Sequence, residues 1–238
     1  MHVSEIFTSI QGEGLHMGRV ALFIRLAGCN LDCTWCDTPQ RATSVELSVD
    51  AIRSQVVDAT TQLIVVTGGE PLLQAPELEE LLTSPGMCDR TWHLETNGTI
   101  FPGLDVLRRF SHIVVSPKLS SAGPQRLDPL SKWDSWMGFM QWCVQHGGPV
   151  EELFCVKFVV GESTDLTQIQ QLLDSIPLQV PIVLQPEDGG CETAVKIVEK
   201  QIRNMTLAIP LAAMSAQAHN VRVLPRLHRL LYGDQQGV

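Results

Sequence analysis

Seven short apolar runs, each followed at once by polar or glycine-rich residues, constrain the fold of this chain most strongly. Each run is rich in Val, Ile and Leu, and such near-continuous apolar character is typical of strands buried on both faces of a parallel sheet. We therefore predict seven strands, which are VALFIRLAG (20–28), LIVVTG (63–68), TWHLET (91–96), HIVVSP (112–117), FCVKFVVG (154–161), PIVLQP (181–186) and VRVLP (221–225).

Amphipathic segments with helical spacing separate these runs, and the alternation predicts βα units. The predicted helices cover residues 48–60, 76–82, 163–176 and 192–205, with Ser163 or Thr164 as a helix cap. Functional loops of βα folds lie at the C-terminal ends of the strands, so the polar clusters should converge on one mouth. Seven strands are too few for a closed eight-stranded barrel. We predict an α/β fold, an incomplete (partial) TIM-like βα barrel.

Composition excludes several other classes of protein. Of 238 residues, 44% are hydrophobic and 18% charged, which excludes a disordered chain. The chain has no run of 18 apolar residues and no secretion signal, so we expect no membrane partner and a cytoplasmic location. A net charge of −9 argues against direct nucleic-acid binding. The length allows one large domain or two small ones, and we expect a single domain over residues 1–238.

Residues 119–150 break the strand–helix rhythm, and we predict an irregular insertion there. SSAGPQR predicts a loop and SKWDSWMGFMQWCVQH predicts a helix. Trp133, Trp136, Met137 and Met140 follow the i, i+3, i+4, i+7 spacing of one helix face. This face either packs in the core, contacts a second subunit or covers the active site.

Cys29, Cys33 and Cys36 form a C-x3-C-x2-C loop within GCNLDCTWCDT. Three thiolates on one loop can hold three irons of a [4Fe–4S] cluster and leave the fourth iron open. Zinc would need a fourth ligand at closed-site spacing, and none accompanies the loop. A zinc site and simple packing remain the alternatives. The other cysteines are scattered, and we expect unliganded thiols at Cys88, Cys143, Cys155 and Cys191.

This cysteine spacing after the first predicted strand resembles the radical S-adenosylmethionine (SAM) superfamily. The resemblance implies that SAM chelates the open iron through its amine and carboxylate, and that an electron from the cluster cleaves SAM to a 5′-deoxyadenosyl radical. TGGEP (67–71) is similar to the glycine-rich strip of that superfamily. Glycines permit close backbone approach, and the Glu70 carboxylate suits the ammonium group of SAM.

Further motifs resemble one family, the 7-carboxy-7-deazaguanine synthases. They are FTSIQGEG (7–14), FIRLAGCN (23–30), CDT (36–38), ETNG (95–98), SPK (116–118) and QPEDGG (185–190). The resemblance implies a lyase that contracts 6-carboxy-5,6,7,8-tetrahydropterin to 7-carboxy-7-deazaguanine with loss of ammonia, in queuosine or 7-deazapurine biosynthesis. It further implies that SAM is regenerated and that Mg²⁺ assists. We also expect a homodimer and an electron donor such as flavodoxin.

Matches to this family, taken one residue at a time, imply a substrate site. Gln11 and Glu13 can hydrogen-bond the amide and amine edge of a pterin, and the Arg25 guanidinium suits a substrate carboxylate. The alternatives are a polar turn at residues 11–14, an ion pair at Arg25 and a turn cap at Thr67. The implied substrate-binding residues are Ile10, Gln11, Gly12, Glu13, Arg25 and Thr67.

The same resemblance implies a cofactor site and a metal ligand. Thr38 matches the Mg²⁺ ligand of the family, with an N-cap hydroxyl as the alternative. Glu95 and Asn97 should also face the mouth, without an assigned role. The implied SAM contacts are Trp35, Cys36 and Asp37, then Gly69 and Glu70, then Ser116, Pro117 and Lys118, and finally Gln185, Pro186, Glu187 and Asp188.

Two other functions stay open at this point. A radical SAM activating enzyme, such as one that acts on a glycyl-radical protein, shares the cysteine loop but not the SIQGEG opening or Arg25. A non-catalytic iron–sulfur electron carrier would normally have a fourth cysteine ligand. The chain also departs from the expected family pattern, because Arg226 stands where we expect a Pro-Gln pair. In some members of the family the C-terminus contacts the substrate, and we expect the basic C-terminal tail of this chain to do so through different residues.

Overall fold

A nine-stranded sheet carries the fold, and most of its strands run parallel. The structure, a computed structural model, describes residues 1–36, 44–189, 191, 193–215, 219–233 and 235. The strands are β1 (His2–Ile10), β2 (Val20–Leu26), β3 (Val45–Glu46), β4 (Leu63–Gly68), β5 (Thr91–Thr96), β6 (His112–Val115), β7 (Phe154–Val160), β8 (Ile182–Pro186) and β9 (Val221–Val223). Their order in the sheet is β3-β1-β2-β4-β5-β6-β7-β8-β9.

All seven predicted strands are present, as β2 and β4 to β9, and every pairing among them is parallel. The sequence did not predict β1 or β3, which pair antiparallel at one end of the sheet. Strand β1 lies one place from that end, and much of its length stays only half-buried. It therefore lacks the continuous apolar run by which the inner strands were predicted.

Each segment predicted to be helical contains a helix, and the described residues also include short helices at 104–107, 150–153 and 227–232 that were not predicted. The helices are α1 (Val49–Asp58), α2 (Ala75–Thr83), α3 (Leu104–Leu107), α4 (Trp133–Gln145), α5 (Val150–Leu153), α6 (Ser163–Leu173), α7 (Ala194–Ser215) and α8 (Leu227–Tyr232). The predicted N-cap of α6, Ser163 or Thr164, was wrong, because the helix already begins at Ser163. Glu162 is the N-cap, and its side chain and that of Asp165 form a reciprocal capping box. No helix within the described ranges is long and apolar enough to span a bilayer.

Side chains alternate between the two faces of the sheet, as extended strands require. On the outer face, Ile24, Ile64 and Leu94 pack with helix residues such as Ile52 in the main apolar cluster. The inner face carries two smaller apolar clusters. They contain Ala21, Phe23, Leu63 and Val65 in one, and Val114, Cys155 and Val183 in the other.

Residues 11–16 cross the inner face and contact strands far from β1. Leu15 packs against the cluster of Val114, Cys155 and Val183, and the Gly14 N–H donates to Gln185 Oε1 at 3.3 Å. In the described part of the chain, the end strands β3 and β9 do not pair with each other. The sheet therefore wraps around this segment without closing, which confirms the predicted incomplete βα barrel.

Residues 119–150 form the connection between the neighbouring strands β6 and β7. A short 3-10 turn, Ser120–Ala122, precedes α4 and α5. The structure buries the whole predicted helix face in the main core, which supports the packed-core interpretation. The buried residues of that face are Trp133, Trp136, Met137 and Met140.

Three histidines cluster on the inner face. His93 and His112 are paired neighbours in β5 and β6, and the ring centres of these two and His16 lie 4.5 to 5.1 Å apart. Burial and the neighbouring imidazoles lower the pKa of His16 to about 4 and that of His93 to about 2. Burial also lowers the pKa of His112, whose Nδ1 donates to the Glu152 carbonyl oxygen at 2.6 Å. The cluster is therefore neutral at pH 7.

Acid should destabilise the fold through this cluster. In the unfolded chain a histidine takes up its proton near pH 6.5, whereas folded His93 does so near pH 2. The unfolded state binds more protons within this window, so the free energy of unfolding falls as the pH drops below 6.5. His93→Leu should reduce that slope by about 1.4 kcal/mol per pH unit between about pH 5.5 and 4.

Urea unfolding of the full chain, followed by tryptophan fluorescence at several pH values, measures the slope. His146→Leu is the matched control, because His146 is exposed. A slope that is the same in His93→Leu as in the parent would contradict the prediction.

Candidate active site

A cavity of about 210 Å³ opens on the inner face at the C-terminal ends of the parallel strands. Its wall includes Arg25 from β2, Thr67 from β4, Glu95 from β5, Ser116 just after β6, and Lys157 from β7. The inner-facing positions of these strands are thus polar at the end where βα folds place their functional loops. We take this cavity as the candidate active site.

The three cysteines of the C-x3-C-x2-C loop all line this cavity as free thiols. The glycine pair after β4 packs directly against their loop. A Cβ atom on Gly69 would lie 2.1 Å from the Gly28 carbonyl oxygen and 2.7 Å from Cys29 Cβ. No side chain fits in that space, so the close approach of the two loops requires glycine at position 69.

Residues 120–126, which we call the strap, hold the cysteine loop from its other side. The Thr34 N–H donates to the Ala122 carbonyl at 2.9 Å, and the Asp32 N–H donates to Gln125 Oε1 at 2.8 Å. Arg126 also forms an ion pair with Asp32. The first part of the 119–150 segment thus positions the cysteines.

The donor set fits an iron–sulfur cluster. Cys29 Sγ accepts hydrogen bonds from the Leu31 N–H at 3.4 Å and from Asn97 Nδ2 at 3.9 Å, and such bonds tune the potential of a cluster. Burial raises the pKa of Cys29, and it raises that of Cys33 to about 11, so metal binding releases protons here. Nowhere in the described ranges do three His, Cys, Asp or Glu side chains converge on one metal ion. A cluster instead needs each thiolate to reach a different iron.

A lysine stands beside the cysteines. Lys118 Nζ donates to the Ser116 carbonyl at 2.8 Å and to Ser116 Oγ at 3.0 Å, and it lies 5.9 Å from the centre of the Trp35 ring. Burial lowers the pKa of Lys118, against the opposing effect of Cys33. The structure brings these three predicted SAM contacts to the cavity wall, whereas Pro117 does not line it.

Glu70 lies beneath the cavity and does not line it. Its carboxylate is fully buried, and it accepts hydrogen bonds from the Leu72 N–H at 3.0 Å, the Asn97 N–H at 2.7 Å and the Thr96 hydroxyl at 2.9 Å. Burial raises the pKa of Glu70, and these hydrogen bonds oppose the rise. In this arrangement the carboxylate ties the turn after β4 to the end of β5.

Residues 10–13 line the cavity, as do Arg25 and Thr67. Glu95 orders two of them, because its Oε1 accepts from Gln11 Nε2 at 2.9 Å and its Oε2 accepts from the Thr67 hydroxyl at 3.1 Å. The Glu13 N–H donates to Gln11 Oε1 at 3.0 Å. The structure therefore brings all six predicted substrate-binding residues to one cavity.

Arg25 takes part in an ion pair while it faces the cavity. Its Nε donates to Glu5 Oε1 at 2.6 Å, and its guanidinium carbon lies 5.4 Å from the centre of the Phe7 ring. Glu5 and Phe7 both belong to β1, the strand that the sequence did not predict. Glu5 and Phe7 therefore hold the Arg25 guanidinium against β1.

Glu13 is held by two cations. Its Oε2 pairs with Lys157 Nζ, and its Oε1 accepts from Arg226 Nε at 2.7 Å. Burial alone would lower the pKa of Lys157, but the Glu13 and Glu95 carboxylates outweigh it and leave that pKa raised. Lys157 therefore stays protonated at neutral pH beside the Glu13 carboxylate.

The predicted SAM-binding loop after β8 supports the wall without lining the cavity. Gln185 Nε2 donates to the Pro225 carbonyl at 2.8 Å, Glu187 pairs with Lys200 at 2.6 Å, and Pro186 ends the strand, buried. Asp188 is fully buried and pairs with Arg226 and Arg229. Asp37 and Thr38 lie outside the described residues, so their predicted SAM and Mg²⁺ contacts stay predictions.

Sequence reasoning missed part of the cavity. Lys157 lies within the apolar run FCVKFVV, and a lone lysine in a buried strand is the signal that could have identified it. The basic C-terminal tail, which the sequence indicated as a contact with the substrate, does line the cavity, through Arg226, His228 and other residues up to position 235. The Leu227 N–H donates to the Gly12 carbonyl at 2.9 Å, and a Cβ on Gly12 would lie 2.2 Å from His228 Nδ1.

Comparisons with known proteins identify the family of this chain. The sequence profile of the Radical SAM superfamily matches residues 23–176. A 7-carboxy-7-deazaguanine synthase of Methanospirillum hungatei is 33% identical, over 94% of this chain and 86% of that protein. The Pyrobaculum aerophilum protein of the same name is 32% identical, over 100% and 97% of the two chains.

The crystal structure of QueE from Escherichia coli shares the fold, with a TM-score of 0.58 at 23% identity over 93% of this chain and 92% of that one. The superfamily match implies a [4Fe–4S] cluster and SAM, which suit the three free thiols on the cavity wall. The chain is thus a radical SAM enzyme and belongs to the 7-carboxy-7-deazaguanine synthase family.

Proposed function

We propose that this radical SAM enzyme converts 6-carboxy-5,6,7,8-tetrahydropterin to 7-carboxy-7-deazaguanine and ammonia. The observation that carries the proposal is that the three cysteines and the residues predicted to bind the substrate line one cavity. Hydrogen-atom transfer between cofactor and substrate needs such proximity. The names of the relatives support the product.

Gln11 and Glu13 would bind the amide and amine edge of the pterin, and Arg25 would bind its carboxylate. Gln11, oriented by Glu95, offers an amide to the amide and amine edge of the ring. Glu13, held in place by Lys157 and Arg226, offers carboxylate oxygens that accept from the same edge. Arg25 lines the cavity, and its planar guanidinium suits the substrate carboxylate.

The cluster and SAM, when bound, supply the radical that removes a hydrogen atom from the substrate. Cys29, Cys33 and Cys36 would hold the cluster, and Trp35, Gly69, Ser116 and Lys118 line the cavity beside them. The loop of residues 185–188 and Glu70 would position this part of the wall from beneath. Lys118 lies close enough to Cys33 to influence its ionisation, so a protonated Lys118 would counter the charge of the thiolates.

Several finer features belong to the same proposal and rest on the sequence and its family resemblance. They are Mg²⁺ held at Thr38, an electron donor such as flavodoxin, a homodimer and a cytoplasmic location. The organisation as one radical SAM domain over residues 1–238, with an insertion at about 119–150, is proposed on the same ground.

Anaerobic turnover tests the reaction directly. The reconstituted, reduced enzyme should convert 6-carboxy-5,6,7,8-tetrahydropterin to a product with the mass of 7-carboxy-7-deazaguanine. Cys29→Ala should lose both cluster iron and product, whereas Cys88→Ala, at an exposed cysteine outside the cavity, should keep both. If the parent enzyme cleaves SAM but leaves this pterin unchanged, the substrate is wrong although the radical SAM chemistry stands.

Arg25→Gln should weaken substrate binding more than it affects SAM cleavage. A charge-assisted contact contributes ~1.5–3 kcal/mol, so KM should rise roughly tenfold to a hundredfold. Glu5→Gln is the matched control, because it removes the ion-pair partner and leaves the guanidinium in place. Steady-state kinetics at saturating SAM give the KM for the pterin in both variants, and this KM should rise more in Arg25→Gln than in Glu5→Gln. Equal KM changes in both would assign Arg25 to the ion pair alone.

A further inference from the structure

Arg226 links two carboxylates that come from distant parts of the chain. Its Nε donates to Glu13 Oε1 at 2.7 Å, and its Nη1 donates to Asp188 Oδ1 at 2.5 Å. The side chain is nearly buried, and the backbone of Arg226 lies between β9 and α8. A guanidinium is planar and rigid, so Arg226 makes both hydrogen bonds only when its side chain keeps one orientation.

Gln201 of α7 fixes this link from behind. Its Oε1 accepts from the Arg226 N–H at 2.9 Å, and its Nε2 donates to the Arg226 carbonyl at 3.1 Å and to Asp188 Oδ2 at 2.6 Å. Gln201 and Asp188 are 1% and 0% exposed. Buried polar groups with complete hydrogen bonding specify one arrangement, so the link is built into the fold and is not a loose surface pair.

The two carboxylates serve different parts of the proposed site. Glu13 lines the cavity among the residues assigned to the substrate. Asp188 ends the loop after β8, which is assigned to SAM, and it lies behind the wall. Both carboxylates contact one guanidinium, so a displacement of either would act on the other through Arg226.

We propose that Arg226 is a positioning residue that couples SAM binding at the loop after β8 to pterin binding at residues 11–13. The inference rests on the proposed function, because it takes Glu13 as a substrate contact. Coupling of this kind is reciprocal: SAM should tighten pterin binding by the same factor by which the pterin tightens SAM binding. Factors of about 5 to 150 are typical.

Arg226→Gln tests the link in a protein that should still fold. The variant removes the charge and shortens the side chain, so one group can no longer reach both carboxylates. Neither carboxylate loses all its partners, since Lys157 still pairs with Glu13 and Arg229 still pairs with Asp188. Arg222→Gln is the matched control, because the same change is made four residues earlier at an exposed position.

The first readout is binding without turnover. Equilibrium dialysis of 6-carboxypterin, an aromatic analogue, is run anaerobically on cluster-loaded enzyme without reductant, with and without saturating SAM. We expect SAM to lower the Kd of the pterin at least about fivefold in the parent and in Arg222→Gln, but less than about twofold in Arg226→Gln. A coupling factor in Arg226→Gln equal to that of the parent, at equal iron content, would overturn the proposal.

The second readout needs no pterin. Hydrogen exchange of the peptide covering residues 7–14 should slow when SAM alone is added to the parent enzyme, and this protection should disappear in Arg226→Gln. No protection in the parent, or the same protection in both proteins, would refute the link. Failure of 6-carboxypterin to bind the parent at all would count against the proposed substrate, and the exchange experiment would still decide the role of Arg226.

Discussion

The whole site depends on one property of parallel strands, which is that their C-terminal ends lie at the same edge of the sheet. Strands β2, β4, β5 and β7 therefore bring single polar residues from four distant parts of the sequence to one cavity. One layer below, the inner face is apolar at Phe23, Val65 and Val183. The same strands therefore form both the apolar floor of the cavity and, at their C-terminal ends, its polar wall.

Charge balance is the second requirement, because the wall holds several buried ionic groups. Burying an unpaired charge is costly, and burial is tolerated when each charge has a partner and hydrogen bonds. Glu13 has Lys157 and Arg226, and Asp188 has Arg226 and Arg229. Glu13 at the cavity wall and Asp188 behind it are thus held in place by cations, and Arg226 contacts both.

Much of the fold could be predicted from the sequence because a buried parallel strand leaves a plain apolar signal. All seven such strands were found, and the face of α4 that carries Trp136 and Met140 packs in the core. The strand β1 escaped prediction because it lies near the end of the sheet and alternates irregularly between polar and apolar residues.

The candidate site was predicted where motifs are local and missed where contacts are distant. The cysteine loop and the 7–14 segment are contiguous, so pattern alone indicated them. Lys157 and Arg226 contact Glu13 although they lie 144 and 213 residues from it in the sequence. No local sequence pattern predicts contacts between residues so far apart. The burial of the Glu70 carboxylate likewise depends on the end of β5, which packs beside it.

The central claim is that substrate and SAM occupy one cavity and exchange hydrogen there. Loss of ammonia is redox-neutral, so the hydrogen atom removed from the substrate can be returned and SAM regenerated. The most direct measurement is turnover of 6-carboxytetrahydropterin deuterated at its non-exchangeable ring positions, followed by mass analysis of the recovered SAM. We predict deuterium in SAM, with little 5′-deoxyadenosine for each product formed. Unlabelled SAM with stoichiometric 5′-deoxyadenosine would contradict the account.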